Sequence, residues 1–588
     1  MKKTLILTLA LATVWSVAAQ EDISRQLEVT RAYAPRVGRA EKLPVVPDMT
    51  DTVKLRPHIE YRITSTASST SFETQPYAAA TVGASPGPQA GPLYIRAGVG
   101  VPFTTEADIY FTPRLRAGRA FGIYANHVGS YSRILNDLGV EANATETTNG
   151  AGLWGSRQWR RYSLEGDVTY DNRLYNPYGV ADVQDPVSSV AWDRGFVYDR
   201  RMHRFSLGLG RAGLSFGDNF SDLSRFNFRV GVDAGYAVNR RDYKQANFDA
   251  RLTAARMFGG GKHGFELVLA EEGAFDLSVY DGGGNVSRNA VAVTFAPRYL
   301  FSSGVWSLRG GADVRYIVDK AFGQDYARVA PSFEARAVLA GGAFVPFVSH
   351  TSRVGAGDLE TLSRRNPYVT EAGATAWIND ARVGFTGDVN DWFSYRLSGG
   401  VSMFRDYQLF VGRQVVSLRE AGGASGVTYP PMWFTPYAVD GQRWTVGAEV
   451  ALRNLGGFGA RLYANWNGFE FGGSYPFTPV GDLPRYDAGL ELSWSGWRDR
   501  LALRLGAEWI GERDYVVSLS GHNLTGMPRY STGVLAPAVD ITFGAEVKVA
   551  RDFWVYIEGE NLADQVLYPY PHYRGLGANF TGGVKIVF

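Results

Sequence analysis

The sequence predicts an all-β protein: a transmembrane antiparallel β-barrel of about 22 strands with an irregular N-terminal arm. Three observations predict it. Glycine makes up 69 of 588 residues and aromatics 13%, yet mean hydropathy is only −0.16. Glycine at that level is well above the usual share of about 7%, and a large helical enzyme does not have such a composition. Next, from Leu93 onward the dominant hydrophobic period is two, the signature of strands whose successive side chains point to opposite faces. Finally, the alternating segments run to ten residues or more, enough to cross a bilayer when tilted, and aromatic residues sit at the ends of their apolar faces.

The N-terminus is read first. Met1-Lys2-Lys3 is basic, Leu5 to Val17 is apolar, and Ala18-Ala19-Gln20 supplies small residues at a cleavage point. The apolar run is too short to span a membrane as a helix, so residues 1–20 read as a secretory signal peptide. Residues 21–92 show no period and carry Pro35, Pro44, Pro47 and Pro57, then a Ser/Thr cluster from Ser65 to Thr74. Proline removes backbone donors and blocks regular elements, so this segment is expected to be an irregular arm in the periplasm or the barrel lumen. Residues 93–588 are assigned to the barrel.

Within the barrel, alternation places strands at 93–101, 105–113, 118–131, 149–161, 163–175, 203–214, 226–239, 244–257, 263–278, 288–302, 304–317, 328–339, 342–352, 380–389, 391–404, 443–452, 457–466, 485–494, 499–511, 538–549, 551–561 and 576–587. Val539 to Val549 is the clearest. Val539, Ile541, Phe543, Ala545, Val547 and Val549 form one face, and Asp540, Thr542, Gly544, Glu546 and Lys548 the other. Trp444, Trp466, Trp494 and Trp509 mark strand ends. The last strand finishes at Phe588 with Phe580, Val584 and Ile586 on its apolar face.

Bacterial barrels alternate short periplasmic turns with long outer loops. That parity holds for most connections if the N-terminus is periplasmic. Segment 215–225 is too long for a turn, and 102–104 and 240–243 are too short for outer loops. The loop 405–442 is the longest and carries Tyr429, Pro430, Pro431, Met432, Trp433, Phe434 and Tyr437. Such a cluster suits carbohydrate or protein contact, or equally packs on the barrel rim.

Composition also excludes function classes. A net charge of +2 lacks the basic excess of a nucleic-acid binder. With no cysteine there is no disulfide, thiolate metal site or Cys nucleophile. The seven histidines are scattered without metal-ligand spacing, so no metal, cofactor or catalytic residue is expected. Gly208-Leu-Gly-Arg-Ala-Gly213 matches a dinucleotide fingerprint, but no helical period follows it, and it reads as a glycine-rich strand. Gly259-Gly-Gly-Lys262 reads as a turn. His350 and Ser352 lie two apart on one strand face and are the best hint of an enzyme. No orienting third residue is evident, and the chain is not expected to be an enzyme.

Two segments carry a family resemblance. Tyr556-Ile-Glu-Gly-Glu-Asn-Leu-Ala-Asp564, with its Tyr/Pro-rich loop and terminal amphipathic strand, looks like the end of TonB-dependent receptor barrels. Glu28-Val-Thr-Arg-Ala-Tyr-Ala-Pro35, Lys42-Leu-Pro-Val-Val-Pro47, Pro76-Tyr-Ala-Ala-Ala80 and Leu93-Tyr-Ile-Arg-Ala-Gly-Val-Gly100 resemble TonB-dependent-receptor-like proteins of the Bacteroidota. The resemblance implies an outer-membrane location and an outer-membrane barrel. Gln20 to Leu93 shows no recognisable plug domain.

The expected function is transport or docking of an unidentified solute at the cell surface. The alternative is a non-transporting barrel subunit, or scaffold, of an envelope-assembly complex. Expected partners are outer-membrane lipid and a periplasmic or surface lipoprotein, and no nucleic acid. Lumen-lining candidates are Arg504, Glu508, Glu546, Lys548, Glu558, Glu560 and Lys585, all on the polar faces of the last strands. Charges of both signs alternate there, so they either line a path for a polar solute or neutralise one another.

Overall fold

A computed structural model describes residues 92–588 apart from 114, 116–117, 138, 182–204, 240–242, 279–287, 422–423, 429–430, 476, 478–482, 499 and 522–529. The expected signal peptide and nearly all of the expected arm lie outside the described residues, as do Tyr429 and Pro430.

A closed ring of 22 antiparallel strands forms the wall. Leu93–Val101 pairs with Asn579–Val587 in the register Tyr94↔Val587 to Val101↔Phe580, which closes the ring. Phe588 N–H donates to Leu93 O at 2.9 Å, so both ends of the ring meet at one rim. Closure leaves no bare edge there, which a strand structure in lipid requires. Each strand foreseen by alternation corresponds to one wall strand.

The reason these segments form this wall is their two-faced pattern. Phe543, Val547 and Val549 point away from the ring and stay exposed, as do Ile123, Leu153, Val168, Leu214 and Val232 around it. Trp306, Trp392, Trp494 and Trp497 are exposed at the rim that carries the chain ends, and Trp444, Trp466, Tyr486 and Trp509 at the other. These are the two aromatic girdles of a membrane barrel. The rim with the chain ends has tight turns, some needing left-handed backbone: Gly304 has φ 58 and Asn390 has φ 59. Gly208 to Gly213 lies within the strand Phe205–Asp218, and Gly259 to Lys262 turns between Lys244–Phe258 and His263–Asp276.

The irregular lengths have physical causes. The segment after Asp218 is long because it tucks beneath the wall, burying Phe220 and Leu223 against Ala255, Met257 and Leu300. At the opposite rim the strands run past the lipid belt. Phe393–Ala421 and Trp433–Leu455 are far longer than the expected 391–404 and 443–452. Above the wall, residues 412–416 pair in parallel with 517–521 of the strand Arg513–Gly521, which hairpins with Tyr530–Leu535. A small hairpin, Arg133–Leu135 with Glu141–Asn143, stands beside them.

Candidate functional site

At the long-loop rim the described loops fold onto one another. Between Val345–Gly355 and Ala376–Val389 the chain carries the α-helix Leu359–Arg365. Asp358 caps it, accepting from Thr361 N–H at 2.9 Å; Glu360 lies in the first turn and Arg364 and Arg365 in the last. These charges complement the helix ends. Leu359 and Leu362 are fully buried, because the segment crosses the ring instead of standing above it. Leu359 N–H donates to Gln245 Oε1 at 2.6 Å, Asn247 Nδ2 to Asp358 Oδ1 at 3.3 Å, and Tyr175 Oη to Pro367 O. Phe434 N–H donates to Tyr368 O at 3.1 Å and Thr370 N–H to Phe434 O at 3.2 Å.

One guanidinium holds both ends of this segment. Arg288 Nη1 donates to Gly357 O, and its Nη2 donates to Thr375 Oγ1 at 3.4 Å and to Asp319 Oδ2 at 3.1 Å. Asp319 is fully buried, and a buried carboxylate is tolerated only when so paired.

Above the helix lies a knot of aromatic rings. Tyr368 stacks on Tyr573 with centroids 3.8 Å apart and meets Tyr175 edge-on at 5.1 Å. Tyr573 also meets Tyr178 at 5.0 Å, and Phe205 packs on Trp433 at 4.8 Å. Tyr573 Oη donates to Met432 O. Met432 and Phe434 have no exposure, so of the two readings of the 405–442 cluster the packed one holds for these residues. The loop 561–578 is pinned at its base by Asp137, which accepts from His572 Nδ1 at 2.7 Å and Tyr568 Oη at 2.8 Å. Burial alone would raise the Asp137 carboxyl, but those hydrogen bonds outweigh it and hold it below the ordinary value. Burial, with Asp137 beside it, pushes the Tyr568 phenol up to about 12.

Under the helix is a cavity of 270 Å³, slightly below the usual size range for ligand pockets. Its charged lining is Arg211, Asp249, Glu272, Arg288, Asp358, Glu360 and Arg364. Arg364 pairs with Glu360 at 2.9 Å, and Arg211 stands 3.4 Å from Asp233 and 3.6 Å from Asp249. Four carboxylates face three guanidiniums here, and one of the three, Arg288, is already held by Asp319 outside the lining, which leaves room for a small polar solute carrying positive charge. Among the described residues no three His, Asp or Glu converge as metal ligands.

The seven charged candidates share one face of the closing strands, opposite the exposed Phe543, Val547 and Val549. Glu546 pairs with Lys585, and Lys548 and Lys585 flank the Trp554 ring with Nζ 4.8 and 5.5 Å from its centroid. Glu558 accepts from Arg96 Nη2 at 2.5 Å. Arg504 sits opposite Gly544 and Glu508 opposite Asp540 in register, while Glu560 sits opposite Asn579. Alternation on the last strands alone missed Arg96 and Glu106. Arg96 lies between Glu106, at 3.1 Å, and Glu558, and stacks over Tyr556 at 4.1 Å. The signal was present: Arg96 shares its face with Gly98 and Gly100. A side chain at Gly98 or Gly583 would strike the Tyr556 hydroxyl. His350 and Ser352 are not brought together as a pair. His350 Nδ1 meets Pro331 O at 2.7 Å, and Ser352 Oγ accepts from Arg315 and Trp377.

No protein-family model matches the chain, and no curated protein matches it. Solved structures do. The FrpB iron transporter from Neisseria meningitidis (F5-1 variant) matches with TM-score 0.61 at 9% identity, covering 85% of this chain and 83% of that one. The siderophore receptor PirA from Acinetobacter baumannii matches with TM-score 0.58 at 9% identity, over 85% and 80%. The pyoverdine outer-membrane receptor FpvA from Pseudomonas aeruginosa PAO1 gives 0.58 at 11% identity, over 85% and 79%. At such identities the likeness is one of fold, and the fold is the 22-strand barrel of outer-membrane receptors.

Proposed function

We propose that the chain is an outer-membrane barrel of the TonB-dependent-receptor-like type that takes up or docks a small, positively charged polar solute at the cell surface. The short-turn rim then faces the periplasm and the long-loop rim the outside. The observation that carries this reading is the inward-folded segment 356–375, which crosses the ring above a cavity lined by four carboxylates and three guanidiniums. A structural wall needs no cavity of this kind beneath a closure assembled from its loops. The fold likeness to iron and siderophore receptors supports a transporter-like role.

The experiment combines two measurements on full-length protein from outer-membrane fractions. In planar bilayers the protein should stay closed. A panel of small cationic, anionic and neutral solutes should then be tested for slowing proteolysis of segment 356–375, with the cationic members acting first. Recovery as a soluble periplasmic protein would end the reading. So would a steadily open pore whose loop no solute protects.

A further inference from the structure

One seam of the wall is unlike the others. Gln324–Ala337 and Val345–Gly355 pair only from Phe333↔His350 to Arg336↔Phe347, four register pairs. The next shortest seam, from Phe543↔Gly559 to Ala550↔Phe553, has seven. Pairing stops beside a proline. Pro331 has no N–H to give, and its carbonyl accepts from His350 Nδ1 at 2.7 Å. On the facing edge, Arg315 Nη1 donates to Ser352 Oγ at 2.6 Å and Nη2 to Ser352 O. Arg315 belongs to Trp306–Asp319, so it reaches past an entire strand to do so. Trp377 Nε1 adds a bond to Ser352 Oγ at 2.9 Å. Side chains take the place of the ladder.

The depth of the gap follows from the register. Outward-facing Tyr316 and Trp306 are partners of Ala327 and Ala337. Between those girdle levels, residues 333–336 are paired to the next strand and 327–332 are not. Six residues span roughly 20 Å along a strand and about 15 Å of depth at barrel tilt, or one leaflet. The unpaired part is on the long-loop side. Behind it sits Arg328, whose guanidinium lies over the rings of Tyr326 at 4.7 Å and Trp377 at 5.5 Å. Arg328 Nε, Tyr326 Oη and Asn379 Oδ1 are buried there without hydrogen-bond partners.

We propose that this seam is a lateral opening from the lumen to the outer leaflet, and that its occupant is an anionic lipid. Its head group pairs with Arg328, and its acyl chains lie in the gap between residues 327–332 and 351–355. A peptide strand fits less well. Pro331 O and Ser352 O are already capped by side chains and Pro331 lacks a donor, so the edges offer a poor template. A cation with unpartnered polar atoms at leaflet depth selects a charged head attached to an apolar tail.

The proposal rests on the barrel standing in a bilayer, and the test separates the two ideas. The chain has no cysteine, so introduced pairs report without background. F333C/H350C occupies the last of the observed register pairs and should oxidise to a disulfide. V329C/V354C would be partners if that register continued, and should not. Full-length protein is then reconstituted with phosphatidylglycerol or phosphatidylcholine carrying a diazirine on the acyl chain. Outward Val329 and Phe333 should be labelled by both lipids, which confirms insertion. Inward Tyr326 and Arg328 should be labelled several-fold more by phosphatidylglycerol, and R328Q should abolish that preference. If R328Q fails to assemble, R328M, which keeps the stem over the Tyr326 and Trp377 rings and removes the charge, gives the same reading. Quantitative disulfide formation by V329C/V354C would overturn the proposal, as would inward labelling that is absent or equal for both lipids.

Discussion

If the packed loops shut the mouth as proposed, Tyr573 sits at the centre of the closure, and its replacement can be put in numbers. It is fully buried, stacks on Tyr368, meets Tyr178 and Phe434, and donates to Met432 O. Tyr573→Phe keeps the ring and strands one buried carbonyl, costing about 1–2 kcal/mol. Tyr573→Ala also removes the ring and leaves a cavity, which brings the loss to about 4–5 kcal/mol. The wall strands do not touch most of these contacts, so the loss falls on the equilibrium between closed and open mouth. Each 1.4 kcal/mol is tenfold in that equilibrium. The Phe variant should therefore raise the open fraction roughly tenfold and the Ala variant about a thousandfold or more. The assay is open-channel probability in planar bilayers, with proteolysis of segment 356–375 as a second readout and heat-modifiable migration to confirm an intact barrel. If Tyr573→Ala assembles normally yet matches the wild type in both readouts, the aromatic knot is not the closure.

Other outcomes follow from the same geometry. Arg288→Gln leaves Asp319 buried without its cation and frees the Gly357 carbonyl; segment 356–375 should lose about 3–5 kcal/mol of local stability, read as faster hydrogen exchange with the wall unchanged. Arg96→Met sets Glu106 and Glu558 against each other without a counter-charge, and the temperature at which the folded gel band disappears should fall clearly. The depressed Asp137 carboxyl makes the docking of loop 561–578 acid-sensitive. Its contribution is complete above the ordinary carboxylate value near 3.8 and is lost as pH falls through the lower, folded value. Intrinsic fluorescence should report undocking below about pH 4 in the wild type, and D137N should remove that transition.

The wall was legible because a lipid belt imposes one strict pattern. Val539 to Val549 alternates so completely that its two faces can be read without a partner strand. Beyond the belt that constraint disappears. Phe393–Ala421 continues past residue 404 on a surface buried by other loops, so the outward apolar face no longer marks it. The helix Leu359–Arg365 is too short to show a period. The site was harder still. Met432 and Phe434 read equally well as exposed or packed, because what buries them, Tyr573, lies 141 residues from Met432. Arg96 was passed over because its partner Glu558 is 462 residues away, across the closing seam. His350 drew attention as a possible base; its actual neighbour, Pro331, becomes apparent only once the strand pairing is known.

The contacts of the last loop also set an order of events. Tyr568 and His572 reach back to Asp137 across 431 and 435 residues, and Tyr573 completes the ring cluster over Tyr368. None of these bonds can form until the final hairpin is in place, and the first strand has no second neighbour until Asn579–Val587 arrives. A chain still being inserted is thus an uncapped sheet with two bare edges and an open top, whatever its first 550 or so residues have achieved. Closing the wall and shutting the mouth become a single late step. A truncation there would take away the first strand's second neighbour and the centre of the ring cluster together.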